Sequence, residues 1–155
     1  YRHFKNKTAL LAAIALRGFD QLTIAIQGVM EKWSTNPQQQ LIESGRSYFS
    51  LAIANPEMTQ LMFGGVLKPE DLTEQYCNDS QKAFHALLQV LENGNQQQLY
   101  KPAEGIQRAL AVWSMMHGLA MLASAGQLGS DITEEMLLEN VTEYMTSVIL
   151  HGILQ

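Results

Sequence analysis

The chain has 155 residues, of which 46% are hydrophobic and 16% are charged, and its formal net charge is −5. This length suits one domain with its own hydrophobic core, and this composition excludes an intrinsically disordered chain. The single cysteine, Cys77, excludes an internal disulfide and is typical of a reducing cytoplasm. No apolar run reaches the length of about 18 residues that a membrane span needs, so we expect a cytoplasmic protein without a membrane partner.

The charges are unevenly distributed along the chain. Arg2, Lys5 and Lys7 supply three of the ten basic residues, and the first acidic residue is Asp20. Residues 8–155 therefore carry seven lysines and arginines against 15 aspartates and glutamates, a balance of −8. Because a negatively charged surface is repelled by the phosphates of nucleic acids, only the basic N-terminal segment is suited to contact DNA.

Six helices are predicted from apolar periodicity and from residues that start or stop helices. Asn6 can cap a first helix whose apolar residues recur at intervals of three and four. Asn36-Pro37 and Asn55-Pro56 each combine an N-cap residue with a proline at the first helical position. These signals predict the starts of the second and third helices.

The second half of the chain continues the helical pattern. Pro69-Glu70-Asp71 predicts the start of a fourth helix that ends at Asn93-Gly94. Pro102 begins the predicted fifth helix, which ends near Gly126, and the capping box Asp131–Glu134 begins the last helix. No segment shows the alternating pattern of a strand, so the predicted fold class is all-α.

The last two predicted helices are apolar over most of their surface. Such helices are normally buried on most sides, and a six-helix domain has little room to enclose both. We therefore expect a homodimer in which these helices form a four-helix bundle across a two-fold axis, while a monomer with one central helix is the alternative. The residues predicted at the dimer interface are Leu119, Leu122, Ala123, Met145, Val148 and Ile149.

Three motifs resemble the TetR family of transcriptional regulators. The first is similar to the end of the family's helix-turn-helix headpiece and consists of Tyr1, His3, Phe4, Lys7 and Leu10. The second, NPEMTQLMF at residues 55–63, is similar to a stretch of one TetR-family ligand-binding domain. The third resembles the Trp…His-Gly signature of that domain and consists of Trp113, His117 and Gly118.

This resemblance implies that residues 1–6 are the end of a DNA-binding headpiece, the rest of which is missing, and that residues 7–155 form a ligand-binding and dimerisation domain. It also implies a transcriptional regulator, expected to be a repressor, that releases operator DNA when a small apolar or amphipathic effector binds. Contacts to DNA phosphates are expected from Tyr1, His3 and Lys7. The residues predicted to line the effector pocket are Met58, Met62, Phe63, Phe84, Trp113 and Met116.

The sequence lacks the common patterns of enzymes and metal sites. Glu-x-x-His, His-x-x-x-His, paired cysteines, a glycine-rich phosphate loop and Gly-x-Ser-x-Gly are all absent. We therefore predict that the protein is not an enzyme and needs no cofactor or metal. His117 is predicted to be a buried histidine that hydrogen-bonds a neighbouring helix. The alternative function is a helical small-molecule-binding or scaffolding protein without a DNA role, which a native start near Tyr1 would favour.

Overall fold

A computed structural model of the chain describes residues 4–101 and 105–153, except for the side chains of Asp71, Glu134 and Ile153. These residues form helices joined by turns and contain no β-strand, so the predicted all-α class is confirmed. The first six α-helices are α1 (Lys7–Lys32), α2 (Pro37–Ala54), α3 (Pro56–Phe63), α4 (Glu74–Ser80), α5 (Lys82–Gln96) and α6 (Gly105–Ser124). The last helical segment consists of α7 (Glu134–Met136), a π-helical turn (Leu137–Val141) and α8 (Thr142–Ile153).

The first two predicted helix starts are confirmed. The Asn6 side chain accepts a hydrogen bond of 2.8 Å from the backbone N–H of Ala9 at the start of α1. Asn36 does the same for Gln39 in α2, at 3.0 Å, and Pro37 occupies the first helical position. Each asparagine thus satisfies one backbone N–H group that has no partner inside the helix.

Asn55 begins α3 as predicted, but its side chain makes no capping hydrogen bond. This residue also ends α2, since its backbone N–H donates to the Leu51 carbonyl while its own carbonyl accepts from the Thr59 N–H. The Thr59 hydroxyl adds a second hydrogen bond to the same Asn55 carbonyl. The junction between α2 and α3 is therefore held by the backbone and by Thr59.

The predicted fourth helix is wrong at its start. Pro69–Asp71 forms only a single 3-10 turn, and α4 begins after Thr73, whose hydroxyl accepts a hydrogen bond of 3.1 Å from the backbone N–H of Tyr76. The start of α4 is therefore set by the side-chain cap at Thr73 and not by Pro69. The structure then divides the predicted helix into α4 and α5, with the junction at Gln81.

The predicted end of one helix and the predicted start of another also differ from the structure. α5 continues through Gly94 to Gln96. Gly94 serves in close packing here, because a Cβ atom at this position would collide with the ring of Tyr100. The last helix begins two residues later than the predicted cap at Asp131, since the Thr133 hydroxyl accepts a hydrogen bond of 3.2 Å from the Met136 N–H. No sequence signal predicts the π-helical turn that follows.

The second helix occupies the middle of the domain. It packs against α1, α3, α5, α6 and α8, and its side chains Leu41 and Phe49 are completely buried. α1 packs against α2 to α5 and buries Phe19, Leu22 and Ile26. By length and composition α1 is also apolar enough to cross a membrane. Its buried residues belong to the core, whereas Leu10, Ile14 and Ile24 remain exposed.

Substitution by alanine at two glycines of α1 should change the free energy of unfolding in opposite directions. A Cβ atom at Gly18 would collide with the sulfur of the buried Met62 and lie 3.1 Å from Cγ of Met58, whereas Gly28 is exposed with no atom within 4 Å. We expect Gly18→Ala to lower the free energy of unfolding by about 1–3 kcal/mol because the core is already filled. Gly28→Ala should raise it by about 0.5–1 kcal/mol through better helix propensity. Urea unfolding measures both, and effects of the same sign would contradict the packing at Gly18.

Candidate functional site

Helices α1 to α6 surround an internal cavity of about 60 Å³. Every residue that lines it is uncharged at neutral pH, and most are apolar. They are Phe19, Leu22, Ile26, Leu41, Ser44, Gly45, Tyr48, Phe63, Ser80, Ala83, Phe84, Leu87, Val112, Trp113 and Met116. Benzene binds in an engineered apolar cavity of about 150 Å³, so a ring-sized molecule would enter this smaller cavity only with some movement of its walls.

Phe63 is the centre of the aromatic cluster beside the cavity. Its ring centroid lies 5.3 Å from Phe19, 5.7 Å from Trp113 and 5.0 Å from His117, in edge-to-face arrangements that aromatic rings favour. Phe63 is the last residue of α3, and Gly65 follows with a φ of 69°, a left-handed conformation that glycine adopts without strain. The turn that ends α3 thus holds Phe63 between α1 and α6.

A hydrogen bond between Tyr48 and His117 links α2 to α6 at the edge of this cluster. The Tyr48 hydroxyl oxygen lies 2.6 Å from Nδ1 of His117. A buried phenol must donate its proton to an acceptor, so we assign the hydroxyl as the donor and place the imidazole proton on Nε2. The sequence-based expectation that His117 hydrogen-bonds a neighbouring helix is confirmed.

Both members of this pair are neutral at pH 7. Burial raises the pKa of Tyr48 well above its ordinary value, and a hydrogen bond from Trp113 offsets only part of the rise. Burial also lowers the pKa of His117. The hydrogen bond therefore joins an un-ionised phenol to an uncharged imidazole, and no net charge faces the cavity from this side.

Ser44 is the second polar group on the cavity side of α2, one helical turn before Tyr48. Only 3% of Ser44 is exposed, and its hydroxyl has no hydrogen-bond partner within residues 4–101 and 105–153. Ser80, which also lines the cavity, differs because its hydroxyl donates to the Cys77 carbonyl at 3.0 Å. A buried hydroxyl without a partner costs about 1–3 kcal/mol, so Ser44 is the exceptional polar group of the site.

The structure brings four of the six predicted pocket residues to the cavity, namely Phe63, Phe84, Trp113 and Met116. The other two, Met58 and Met62, are not among its lining residues and lie instead against Gly18 of α1. The sequence reasoning missed the lining residues of α1 and α2. Leu41, Ser44 and Tyr48 recur at intervals of three and four, which could have marked one face of α2.

The predicted interface residues differ in how far they are buried within one subunit. Leu119 and Ile149 are already buried, and Ala123 and Met145 are partly buried. Leu122 and Val148 each remain 44% exposed. Other exposed apolar side chains on α6 and α8 are Ile106, Leu110 and Tyr144.

Of the predicted DNA contacts, only Lys7 belongs to the part of the chain that the structure describes. It is the first residue of α1, directly after the Asn6 cap, and its side chain is exposed. Tyr1 and His3 lie outside the described residues. Within the described residues no group of three or more His, Cys, Asp or Glu side chains could hold a metal ion.

Comparison with known proteins identifies one matching family. The family described as "Tetracyclin repressor-like, C-terminal domain" matches residues 41–145. This range runs from the cavity face of α2 through α6 to the start of α8, and it includes Trp113, His117 and Gly118. No curated protein sequence matches the chain.

Solved structures share the fold. One is a protein with unknown function from Rhodococcus sp. RHA1, with a TM-score of 0.87 at 24% identity over 100% of this chain and 78% of that one. Another is the TetR family transcriptional regulator PfmR from Thermus thermophilus, with a TM-score of 0.77 at 21% identity over 97% and 79% of the two chains. A bacterial regulatory protein in the tetR family from Rhodococcus RHA1 has a TM-score of 0.77 at 18% identity over 99% and 77%.

The low pKa of His117 makes stability depend on pH. As the pH falls, His117 of the unfolded chain takes up a proton near the ordinary histidine pKa of 6.5. In the folded chain the same imidazole takes up its proton only at a lower pH. The contribution of His117 to stability is therefore complete above the ordinary pKa and is lost as the pH falls below it. We expect the free energy of unfolding to fall between about pH 7.5 and about pH 5.5, and we expect His117→Asn to reduce that fall.

His85→Asn, the same substitution at an exposed histidine of α5, is measured alongside as the matched variant. Denaturant unfolding at several pH values measures the slope independently of any constant loss of stability in a variant. An unaltered slope in His117→Asn would show that protonation of this imidazole does not oppose folding.

Proposed function

The chain belongs to the tetracyclin repressor-like C-terminal domain family, and we propose that it is the effector-binding and dimerisation part of a transcriptional repressor. One observation carries the proposal, namely that α1 both lines the cavity and begins at Lys7. Phe19, Leu22 and Ile26 line the cavity from α1, and Lys7 lies at the N-terminal end of the same helix. A molecule in the cavity thus acts on the helix that continues from the proposed headpiece.

The proposed effector works by expanding the cavity. Its walls must move for a ring-sized molecule to enter, and α1 and α3 meet α6 through contacts of Phe63 with Phe19 and Trp113. An effector that binds more tightly to the expanded arrangement shifts the population toward it. In a dimer this shift alters the spacing of two headpieces, so that operator binding and effector binding oppose one another.

The proposed dimer is formed by α6 and α8. Leu110, Leu122, Tyr144 and Val148 remain exposed on these two helices in one subunit. Pairing with a second copy would cover them and complete a four-helix bundle. Leu119 and Ile149 contribute to the subunit core beneath this surface, so the exposed side chains carry the proposed contact.

Lys7 is proposed to contact DNA phosphate together with the N-terminus of α1. Free backbone N–H groups and the helix dipole favour an anion there, and the exposed ammonium group adds a positive charge. Tyr1 and His3 would contact the same backbone from the end of the headpiece. The protein would act in the cytoplasm and have no catalytic role. A ligand-binding protein without a DNA role has the same cavity, and an upstream helix-turn-helix segment would distinguish the repressor from it.

Lys7→Ala tests the phosphate contact in the protein with its headpiece. We expect weaker binding to all duplex sequences alike and a salt slope, the dependence of log affinity on log salt, that is smaller by about one. Lys32→Ala is the matched control, since Lys32 is the last residue of the same 26-residue helix and stands far from the proposed DNA surface. Fluorescence anisotropy at several salt concentrations measures both. An unchanged slope in Lys7→Ala would rule out this contact.

Val148→Glu tests the dimer. Symmetry would bury two new carboxylates in the interface, so we expect the dimer to dissociate about 100-fold more readily. Ile24→Glu is the control, because Ile24 is an apolar residue of α1 that is 67% exposed. Sedimentation equilibrium at micromolar concentration measures the association. A wild-type protein that is monomeric there, or a Val148→Glu variant as dimeric as the wild type, would contradict the interface.

A further inference from the structure

Polar groups on the cavity walls differ in whether they already have partners. The Tyr48 hydroxyl is engaged by His117 and Trp113, and the Ser80 hydroxyl is engaged by the Cys77 carbonyl. The Ser44 hydroxyl alone among these is buried without a partner in the described part of the chain. Buried polar groups are nearly always hydrogen-bonded, so an exception on the wall of a cavity points to a partner that occupies the cavity.

We infer that the cavity binds an uncharged, mainly aromatic molecule that presents one hydrogen-bonding oxygen to Ser44. This inference rests on the effector-binding role proposed above and adds the chemical class of the effector. Ser44 is a positioning and selectivity residue here, because its hydroxyl can both donate to and accept from an alcohol or phenol oxygen.

The walls exclude a charged molecule. Among the residues that the structure describes, no acidic or basic side chain lines the cavity, and the titratable Tyr48 and His117 are both neutral at pH 7. A carboxylate or ammonium group would lose its hydration and find no opposite charge in return. The effector must therefore be neutral where it contacts the protein.

The walls also favour a ring. Phe19, Phe63, Phe84 and Trp113 contribute aromatic faces and edges to the lining, and the ring centroids of Phe84 and Trp113 lie 5.2 Å apart. Aromatic molecules pack well against such a surface in offset or edge-to-face geometry. Met116 completes the wall beside Trp113, and its unbranched thioether can change conformation to admit a ring.

Three probes of equal size separate the contributions of shape, hydrogen bonding and charge. Ethylbenzene, benzyl alcohol and benzylammonium have the same number of non-hydrogen atoms and differ only at the end of the side chain. The chain has two tryptophans, and Trp33 does not line the cavity. In a Trp33→Phe background, the fluorescence of Trp113 therefore reports binding to the purified 155-residue chain.

We expect ethylbenzene and benzyl alcohol to bind and benzylammonium to bind about 100-fold more weakly or not at all. Ser44→Ala should weaken benzyl alcohol by about 3- to 10-fold and leave ethylbenzene within about two-fold, as expected for the loss of one hydrogen bond. Ser50→Ala is the matched control and should leave the ratio of the two affinities unchanged, because Ser50 is an exposed serine of the same helix that does not line the cavity. Ser44→Ala loses no hydrogen bond within the described part of the protein, so we expect it to fold. Thermal unfolding verifies this.

Two results would overturn the inference. One is an affinity ratio of benzyl alcohol to ethylbenzene that Ser44→Ala does not alter, and the other is the absence of binding by either neutral probe. Neither result depends on DNA. Ser44-dependent binding that leaves the DNA affinity of the protein with its headpiece unchanged would refute the proposed repressor mechanism while supporting the effector class.

Discussion

The hydrogen bond between Tyr48 and His117 fixes how α2 and α6 face one another, and the cavity depends on that arrangement. α2 is the central helix of the domain and also packs against α1, α5 and α8. With Tyr48 held at His117, the preceding turn of α2 places Gly45 beside Met116, where a Cβ atom would meet the methionine Cε at 3.5 Å. The same turn directs Ser44 to the cavity. This partly buried hydrogen bond adds a directional contact to an otherwise apolar interface between α2 and α6.

The short third helix connects this central pair to α1. Its last residue, Phe63, reaches the cavity, while Met58 and Met62 on its other side pack against Gly18. Gly18 allows α3 to approach α1 closely, so that α3 cannot be displaced without moving α1 or opening a gap in the core. The methionines predicted for the pocket would then serve to couple the cavity to α1.

How far the sequence predicts the structure depends on whether a feature is local. The caps at Asn6 and Asn36 involve neighbours three residues away, and both were predicted correctly. Pro69 and Thr73 are both local signals for a helix start, and α4 begins at the Thr73 cap. In the π-helical turn the backbone N–H and the hydroxyl of Thr142 both donate to the Leu137 carbonyl, a bond that apolar periodicity does not predict. Ser44 was missed for a related reason. A serine inside a helix usually faces solvent, and this general tendency hides the signal that Leu41 and Tyr48 give for the same face of α2.

His117 and Gly118 are adjacent residues of α6 that face in different directions. His117 points into the domain and bonds Tyr48, whereas a Cβ atom at the exposed Gly118 would meet no atom within 4 Å. Nothing within the described subunit therefore requires glycine there, although glycine in a helix costs about 1 kcal/mol relative to alanine. Gly118 lies one turn from the exposed Leu122 and Ser114, on the face proposed to meet a second subunit. In the proposed dimer the missing side chain would let two helices approach closely, so that one helix would join the wall of the cavity to the subunit interface.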